Sequence, residues 1–259
     1  MSLTIAATAD LHFGEDSGGR LAPYLELVEG AADLLLLAGD LTRTGDPGQA
    51  AVLADELRGL RVPVFAVLGN HDHHLGRAAE VAAVMEAAGV EVLEGSGAVV
   101  EAAGMRLGVA GVKGFGGGFA GACGTEFGEP QMKAFVSHGR ERAECLAAAL
   151  ASLAGRCDAL VALTHYSPVR GTLVGEPLEL YPFLGSHLLG EVIDAAGVRV
   201  ALHGHAHAGS ERASTPGGVP VRNVAQAVTG RPFTLLSLAA AGASEAWPRA
   251  AAGGAPEEP

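Results

Sequence analysis

Five short segments carry the residue types that ligate metal ions: Asp10-Leu11-His12, Gly39-Asp40, Gly69-Asn70-His71-Asp72, Thr164-His165 and His203-Gly204-His205-Ala206-His207. Each follows an apolar run, which places its polar groups at the end of a strand. In open α/β sheets, sites form at the carboxyl ends of strands, and parallel strands would bring all five tips to one edge. Each segment alone has a plainer reading. An Asp after a strand is usually a helix cap or turn residue, and a lone His is more often a hydrogen-bonded structural residue. The Gly-His-x-His tip is the strongest single piece, because alternate residues in a turn can converge on neighbouring ions. Five such tips in order carry the metal-site reading.

The elements that must position these tips follow from the hydrophobic pattern. Apolar runs at 3–9, 33–38, 62–68, 158–164 and 198–202 are largely continuous rather than alternating, as in central strands covered on both faces. Helical patterns at 20–30, 47–59, 75–88, 136–154 and 186–196 lie between them. Pro47 suits a first helical turn, and Gly89, Gly155 and Gly197 suit helix ends. Segments 98–103 and 105–112, broken by Gly104, read as a hairpin, as do 211–215 and 219–224 around Pro216-Gly217-Gly218; 233–238 reads as a last strand. This alternation predicts an α/β layered fold. Two stretches, 113–130 and 166–185, resist assignment, and loops this long are often functional.

The 259 residues, 49% hydrophobic, suffice for one large domain, expected over 1–238. The Ala/Gly/Pro/Glu-rich stretch 239–259 is expected to be a poorly ordered tail. No apolar run is long enough to cross a bilayer, and 3–9 is too short for a signal peptide, so a soluble, cytoplasmic protein is expected. Cys123, Cys145 and Cys157 form no CxxC pair and read as small packing residues. A formal charge of −12 argues against a nucleic-acid or membrane partner. Bound metal ions would reverse that sign locally.

The five blocks, Asp-x-His, Gly-Asp, Gly-Asn-His-Asp, a single His after a strand and Gly-His-x-His, together resemble the calcineurin-like metallophosphoesterases over residues 10–207. The resemblance implies a four-layer αββα sandwich with two mixed sheets and a dinuclear metal site at the strand carboxyl ends. One ion would take Asp10, His12 and His207, the other Asn70, His165 and His205, with Asp40 bridging both. The donors are all nitrogen and oxygen, which suits two divalent ions of Mn, Fe, Zn or Co. His71 would face the substrate as a catalytic group, oriented by Asp72. The implied reaction is hydrolysis of a phosphate ester by a metal-bridging hydroxide.

The substrate is expected to be a small-molecule phosphate ester or nucleotide. Gly39-Asp40-Leu41-Thr42-Arg43-Thr44-Gly45 resembles the Gly-Asp-Leu-Thr-x-x-Gly segment of the cyclic nucleotide phosphodiesterase branch, favouring phosphodiesters. The chain departs from that branch at His73-His74, where many members have x-Arg. The stretch from Gly114 to Phe119 reads either as a lid whose phenylalanine stacks on a planar group or as a plain surface loop. Lys113 and Arg170 could reach a phosphate, although such residues are more often solvated. His203 reads as the end of its strand; His138 and His187 read as structural residues at helix starts. The alternatives are a phosphomonoesterase or nucleotide pyrophosphatase and, with every matched position filled, less readily a non-catalytic scaffold.

Overall fold

The computed structural model describes residues 2–239. Its first half alternates strand and helix: β1 (Ser2–Thr8), α1 (Ala22–Ala31), β2 (Leu34–Ala38), α2 (Pro47–Leu57), β3 (Val64–Val67), a 3₁₀ turn (His71–His73), α3 (Ala78–Ala87) and β4 (Val90–Val92). A hairpin of β5 (Ser96–Ala102) and β6 (Met105–Val112) follows, then a two-residue pair, β7 (Gly118–Phe119) and β8 (Ala122–Cys123). Next come α4 (Pro130–Leu153), β9 (Ala159–Thr164), α5 (Tyr181–Leu184), α6 (His187–Ala195) and β10 (Val200–His203). The last elements are the hairpin β11 (Arg212–Ser214) and β12 (Pro220–Asn223), then α7 (Gln226–Thr229) and β13 (Thr234–Ala239).

The strands form two mixed sheets, ordered β13-β1-β2-β3-β4 and β11-β12-β10-β9-β6-β5. In each, four neighbouring strands are parallel and the antiparallel strands lie at the edges. The continuous apolar runs have the expected cause, because both faces of each sheet are covered. On β2, Leu34, Leu36 and Ala38 join Leu107, Val161 and Leu202 of the opposite sheet in one cluster. The alternate residues Leu35 and Leu37 pack instead on Leu53, Val81 and Met85 from α2 and α3. Ala110, Ala162 and Ala201 of the second sheet face Leu146, Leu189 and Ile193 on α4 and α6. The order is therefore helices, sheet, sheet, helices. Period-two burial on two-sided strands specifies which residues meet which layer.

Three of the five tips belong to the first sheet and two to the second, so stacking of the sheets, rather than one continuous sheet, unites them. Helix α4 starts at Pro130, six residues before the expected 136. This puts His138 inside α4 and corrects its expected place at a helix start. β4 escaped the sequence reading because Val90-Glu91-Val92 is too short to show a run. The expected tail lies outside the described residues from 240 onward, and Ala239 closes β13. Among the described residues no helix is long and apolar enough to cross a membrane.

Candidate metal centre

Past their last regular residues the β1, β2 and β10 tips turn sharply. Among the described residues, five non-glycines have positive φ, and four are Asp10, His12, Asp40 and His205; the fifth, Ala103, turns the β5–β6 hairpin. Such conformations cost roughly 1–3 kcal/mol each and persist where the surroundings over-determine them. The surroundings here are backbone pairs that continue between the β1 and β2 tips: Asp10 N–H donates to the Gly39 carbonyl and His12 N–H to the Asp40 carbonyl, both at 3.0 Å. Gly39 lies against the other sheet. A Cβ there would stand 2.6 Å from His165 Nδ1, and one on Gly69 would overlap the Asp40 carboxylate. These two glycines let donors from separate strands crowd into one place.

The tips assemble three overlapping groups, each with ligand atoms within 4.8 Å of one another: Asp10, His12 and His207; Asp40, His165 and His205; and His12, Asp40 and His71. The first two coincide with the half-sites implied by the family resemblance. Asn70 joins the second, its Oδ1 lying 2.9 Å from His165 Nε2. His165 Nε2 is 3.3 Å from Asp40 Oδ1, and His12 Nε2 is 3.9 Å from Asp40 Oδ2. His207 Nε2 meets Asp10 Oδ1 at 2.8 Å, while the His205 backbone N–H donates to both Asp10 oxygens.

Three rings are aimed by backbone carbonyls. His165 Nδ1 donates to Ala38 at 2.9 Å, His205 Nε2 to Phe183 at 3.2 Å and His71 Nδ1 to Arg43 at 2.8 Å. A carbonyl only accepts, so the proton sits on the anchored nitrogen. The other nitrogen is left to the centre: Nε2 of His165, Nδ1 of His205 and Nε2 of His71. His12 has no such anchor, and its buried Nδ1 has no hydrogen-bond partner among the described residues.

The electrostatics suit a cation. Burial opposes the Asp10 charge, but the His207 hydrogen bond and the nearby His165 outweigh it and hold the carboxyl below the usual range. Burial likewise opposes the Asp40 charge, and His165 outweighs it, holding Asp40 well below that range. Burial works against charge on His165 as well, yet Asp40 and Asp10 raise it to about 9. Burial and the charge on His165 push His205 down to about 3. Two carboxylates thus draw one positive charge inward. They favour positive charge at His165, and a divalent ion at the centre would answer the same demand. The nitrogen–oxygen donor set, the unpartnered His12 nitrogen and the inward-facing lone pairs all fit such ions.

Asp72 corrects the sequence reading. Its carboxylate accepts from Leu41 N–H, Thr42 N–H, Thr42 Oγ and Gly69 N–H at 2.6–3.1 Å. The ring of His71 is aimed by the Arg43 carbonyl instead. Asp72 is fully buried and ties the loop after β2 to the loop after β3, so it positions Asp40 relative to Asn70. Thr42 shares this task, also accepting from Gly45 N–H at 2.9 Å. Within the Gly39–Gly45 segment, Thr42 and Gly45 thus build scaffold around Asp40.

The two long loops are anchored. Phe119 is buried with Leu173 and Leu184, and Phe115 packs on Phe135 and Tyr166, so neither phenylalanine is free to stack as a lid. His203 Nε2 meets Thr172 Oγ at 2.8 Å, and Thr172 Oγ meets Ser167 Oγ, pinning the 166–185 loop to the β10 tip. Arg170 lies over the Tyr181 ring and lines a separate cavity of about 550 Å³ with no candidate ligand in its wall. His187 starts α6 as expected and binds the Gly118 carbonyl. Sequence reasoning missed Tyr166, whose ring lies 4.5 Å from that of His205. Its position right after His165 was the only available signal. Of the cysteines, Cys145 on α4 and Cys157 just after it pack against the core between the second sheet and its helices, but Cys123 is exposed.

A two-sheet sandwich that gathers carboxylate, amide and imidazole donors at one edge has the architecture of a metallophosphoesterase. The sequence profile of the calcineurin-like phosphoesterases matches residues 3–209, and the chain belongs to that family of phosphoric ester hydrolases. A probable cyclic nucleotide phosphodiesterase from Synechococcus sp. is 37% identical over 82 residues, a match covering 28% of this chain and about a third (32%) of that protein. Among solved structures, the phosphopantetheinyl hydrolase PptH of Mycobacterium tuberculosis superposes with a TM-score of 0.63 at 17% identity, over 86% of this chain and 89% of that one. A putative 5′-nucleotidase from Staphylococcus aureus superposes with a TM-score of 0.59 at 15% identity, over 92% of this chain and 51% of that one. At these identities the structural likeness speaks for the fold alone.

Proposed function

We propose that the chain hydrolyses a phosphodiester of a small molecule or nucleotide with two divalent ions of Mn, Fe, Zn or Co. The observation behind this reading is the overlap of the donor groups: Asp40 stands with His165 and His205, and its other oxygen is 3.9 Å from His12 of the first group. Asp10, His12 and His207 would hold one ion, Asn70, His165 and His205 the other, and Asp40 would serve both. When bound, such ions neutralise charge on the phosphoryl oxygens and make a water acidic near neutral pH. Asp10 and Asp40 are the two carboxylates of the set, so two dications leave the centre net positive. This allows an acidic protein to hold an anionic substrate.

His71 is the group placed to meet the substrate. Its Nδ1 is held by Arg43, its side chain is 43% exposed, and its Nε2 faces the centre 3.9 Å from Asp40 Oδ2. In the protonated form, Nε2 can donate to a phosphoryl oxygen or the leaving oxygen as charge develops there. Since His71 also lies within reach of His12 and Asp40, metal content separates the two roles. His71→Ala is expected to keep both ions and lose about 10²–10³ in turnover; loss of an ion would make His71 a ligand instead.

The preference for diesters is supported by the Synechococcus relative and by the Gly39–Gly45 segment. It is tested with bis(4-nitrophenyl) phosphate, cyclic nucleotides and 4-nitrophenyl phosphate, each assayed with Mn, Fe, Zn and Co. A higher kcat/KM for monoesters than for every diester would overturn it. Absence of turnover and of bound metal in folded protein would favour the scaffold reading.

A further inference from the structure

Beside the second half-site lies a cluster of charged groups that the proposed chemistry does not use. Lys113 follows β6, where its backbone carbonyl accepts from His165 N–H and Tyr166 N–H. Its side chain is enclosed, with the residue 7% exposed, yet the ammonium makes no ion pair among the described residues. Instead Nζ lies 5.2 Å from the ring centres of Phe115 and Tyr166. The Tyr166 ring is itself 4.5 Å from the His205 ring, so one aromatic ring separates the ammonium from a candidate ligand.

Arg142 adds positive charge, whereas burial, Lys113 and Arg142 hold the His138 imidazole below its ordinary range. Arg142 on α4 acts on Lys113 and on His73 and His138, and its buried Nε has no hydrogen-bond partner among the described residues. His138 stands edge-on to Phe115 at 4.6 Å. Glu94, the adjacent carboxylate, accepts from the Leu68 and Lys113 backbone N–H groups and acts on both Lys113 and Arg142, and Asp40 acts on Lys113 from the metal centre. A cation–π contact compensates a desolvated ammonium only in part. Lys113 and Arg142 thus share one adjacent carboxylate, and that excess of positive charge, together with an unsatisfied guanidinium nitrogen, is the complement of an anion.

We propose that Lys113, backed by Arg142 and His138, forms an anion subsite that takes a second acidic group of the substrate, a carboxylate or a further phosphate. The subsite rests on the phosphoesterase reading of the adjoining centre. It selects esters whose second arm ends in an anion and positions them without touching the reacting phosphorus. It also gives a use to the acidic protein's one enclosed lysine at this edge, which sequence alone could not separate from a solvated one.

The test uses three 4-nitrophenyl phosphodiesters that differ only in whether the second arm ends in methyl, carboxylate or phosphate. With Mn-loaded wild type, the KM for at least one anionic arm should fall about ten-fold or more below that for methyl, as a charge-assisted contact implies. In Lys113→Met, which conserves length and volume, that ratio should shrink to about two-fold or less, with Arg142→Gln shifting it the same way by less. The arm with the larger gap identifies the group. Equal KM values for all arms in wild type, or an unchanged ratio in Lys113→Met, would overturn the subsite.

A second readout needs no turnover. Inorganic phosphate titrated calorimetrically into metal-free wild type should bind at least about ten-fold more tightly than to Lys113→Met, with far-UV circular dichroism verifying both folds. Equal binding, or none to either protein, overturns the proposal. Failure of every ester in the presence of phosphate binding would instead overturn the hydrolase reading and leave the subsite standing.

Discussion

The two halves of the proposed centre are built to different degrees before any ion arrives. In the second half, His165 is fully buried with its ring fixed by the Ala38 carbonyl, and His205 is fixed by the Phe183 carbonyl. In the first half, the His207 side chain is 45% exposed and leans on Asp10, while His12 has a buried nitrogen without a partner. A histidine whose outer nitrogen is anchored loses less freedom on ligation and presents its lone pair in a fixed direction. The second half would therefore be a preformed socket, whereas the first would be completed by its ion. The difference arises from placement. His165 of the second half is fully buried, whereas the His207 side chain of the first is 45% exposed.

In the proposed centre Asp40 serves both halves, so removing its charge should erase the distinction. Asp40→Asn is expected to cut turnover by on the order of 10⁴ and to leave less than one ion per chain by elemental analysis. Retention of two ions would mean that Asp40 is not shared. Removing one histidine from each half should bring the distinction out. His165→Ala is expected to lose about 10³ in turnover, without recovery in excess Mn, whereas His12→Ala loses about 10–100-fold and recovers. The reverse order would break the comparison. Asp72 underlies both halves without touching an ion. Asp72→Ala leaves three buried N–H groups without their acceptor and should lower stability by about 3 kcal/mol, read from urea midpoints at unchanged slope. A change below about 0.5 kcal/mol would show that those groups find other partners.

Much of this was legible because it depends on pattern. Two-sided apolar runs gave the strands, and donors after them gave the tips, since side-chain period and strand direction are fixed by the backbone. What could not be read depends on which carbonyl or carboxylate lies near in space. The sequence neighbour Asp72 was expected to aim His71, but a 3₁₀ turn carries the carboxylate inward and Arg43, 28 positions earlier, supplies the acceptor. Phe115 and Phe119 looked like lid residues because a glycine-rich stretch reads as mobile. Their burial comes from α4 and the 166–185 loop, partners that local composition does not reveal. Lys113 was visible as a residue but not as an enclosed one, because its cover comes from the rings of Phe115 and of Tyr166, which follows β9.

Stepwise chelation sharpens the comparison with the smallest expected effect. If the second half is a preformed socket, a chelator should remove the first-half ion first and leave a one-ion species over a wide concentration range. An ion present at about 100 times its Kd adds about 2.7 kcal/mol to folding stability, so each loss should appear as a separate fall in Tm. For a domain of this size that is about 5–10 °C per ion. His207→Ala should abolish the fall at low chelator and leave the one at high chelator in place, because His207 groups with Asp10 and His12 and not with the second half. His205→Ala should do the opposite. A single merged transition in wild type would show that the halves load together through Asp40, and that burial of His165 confers no separate affinity.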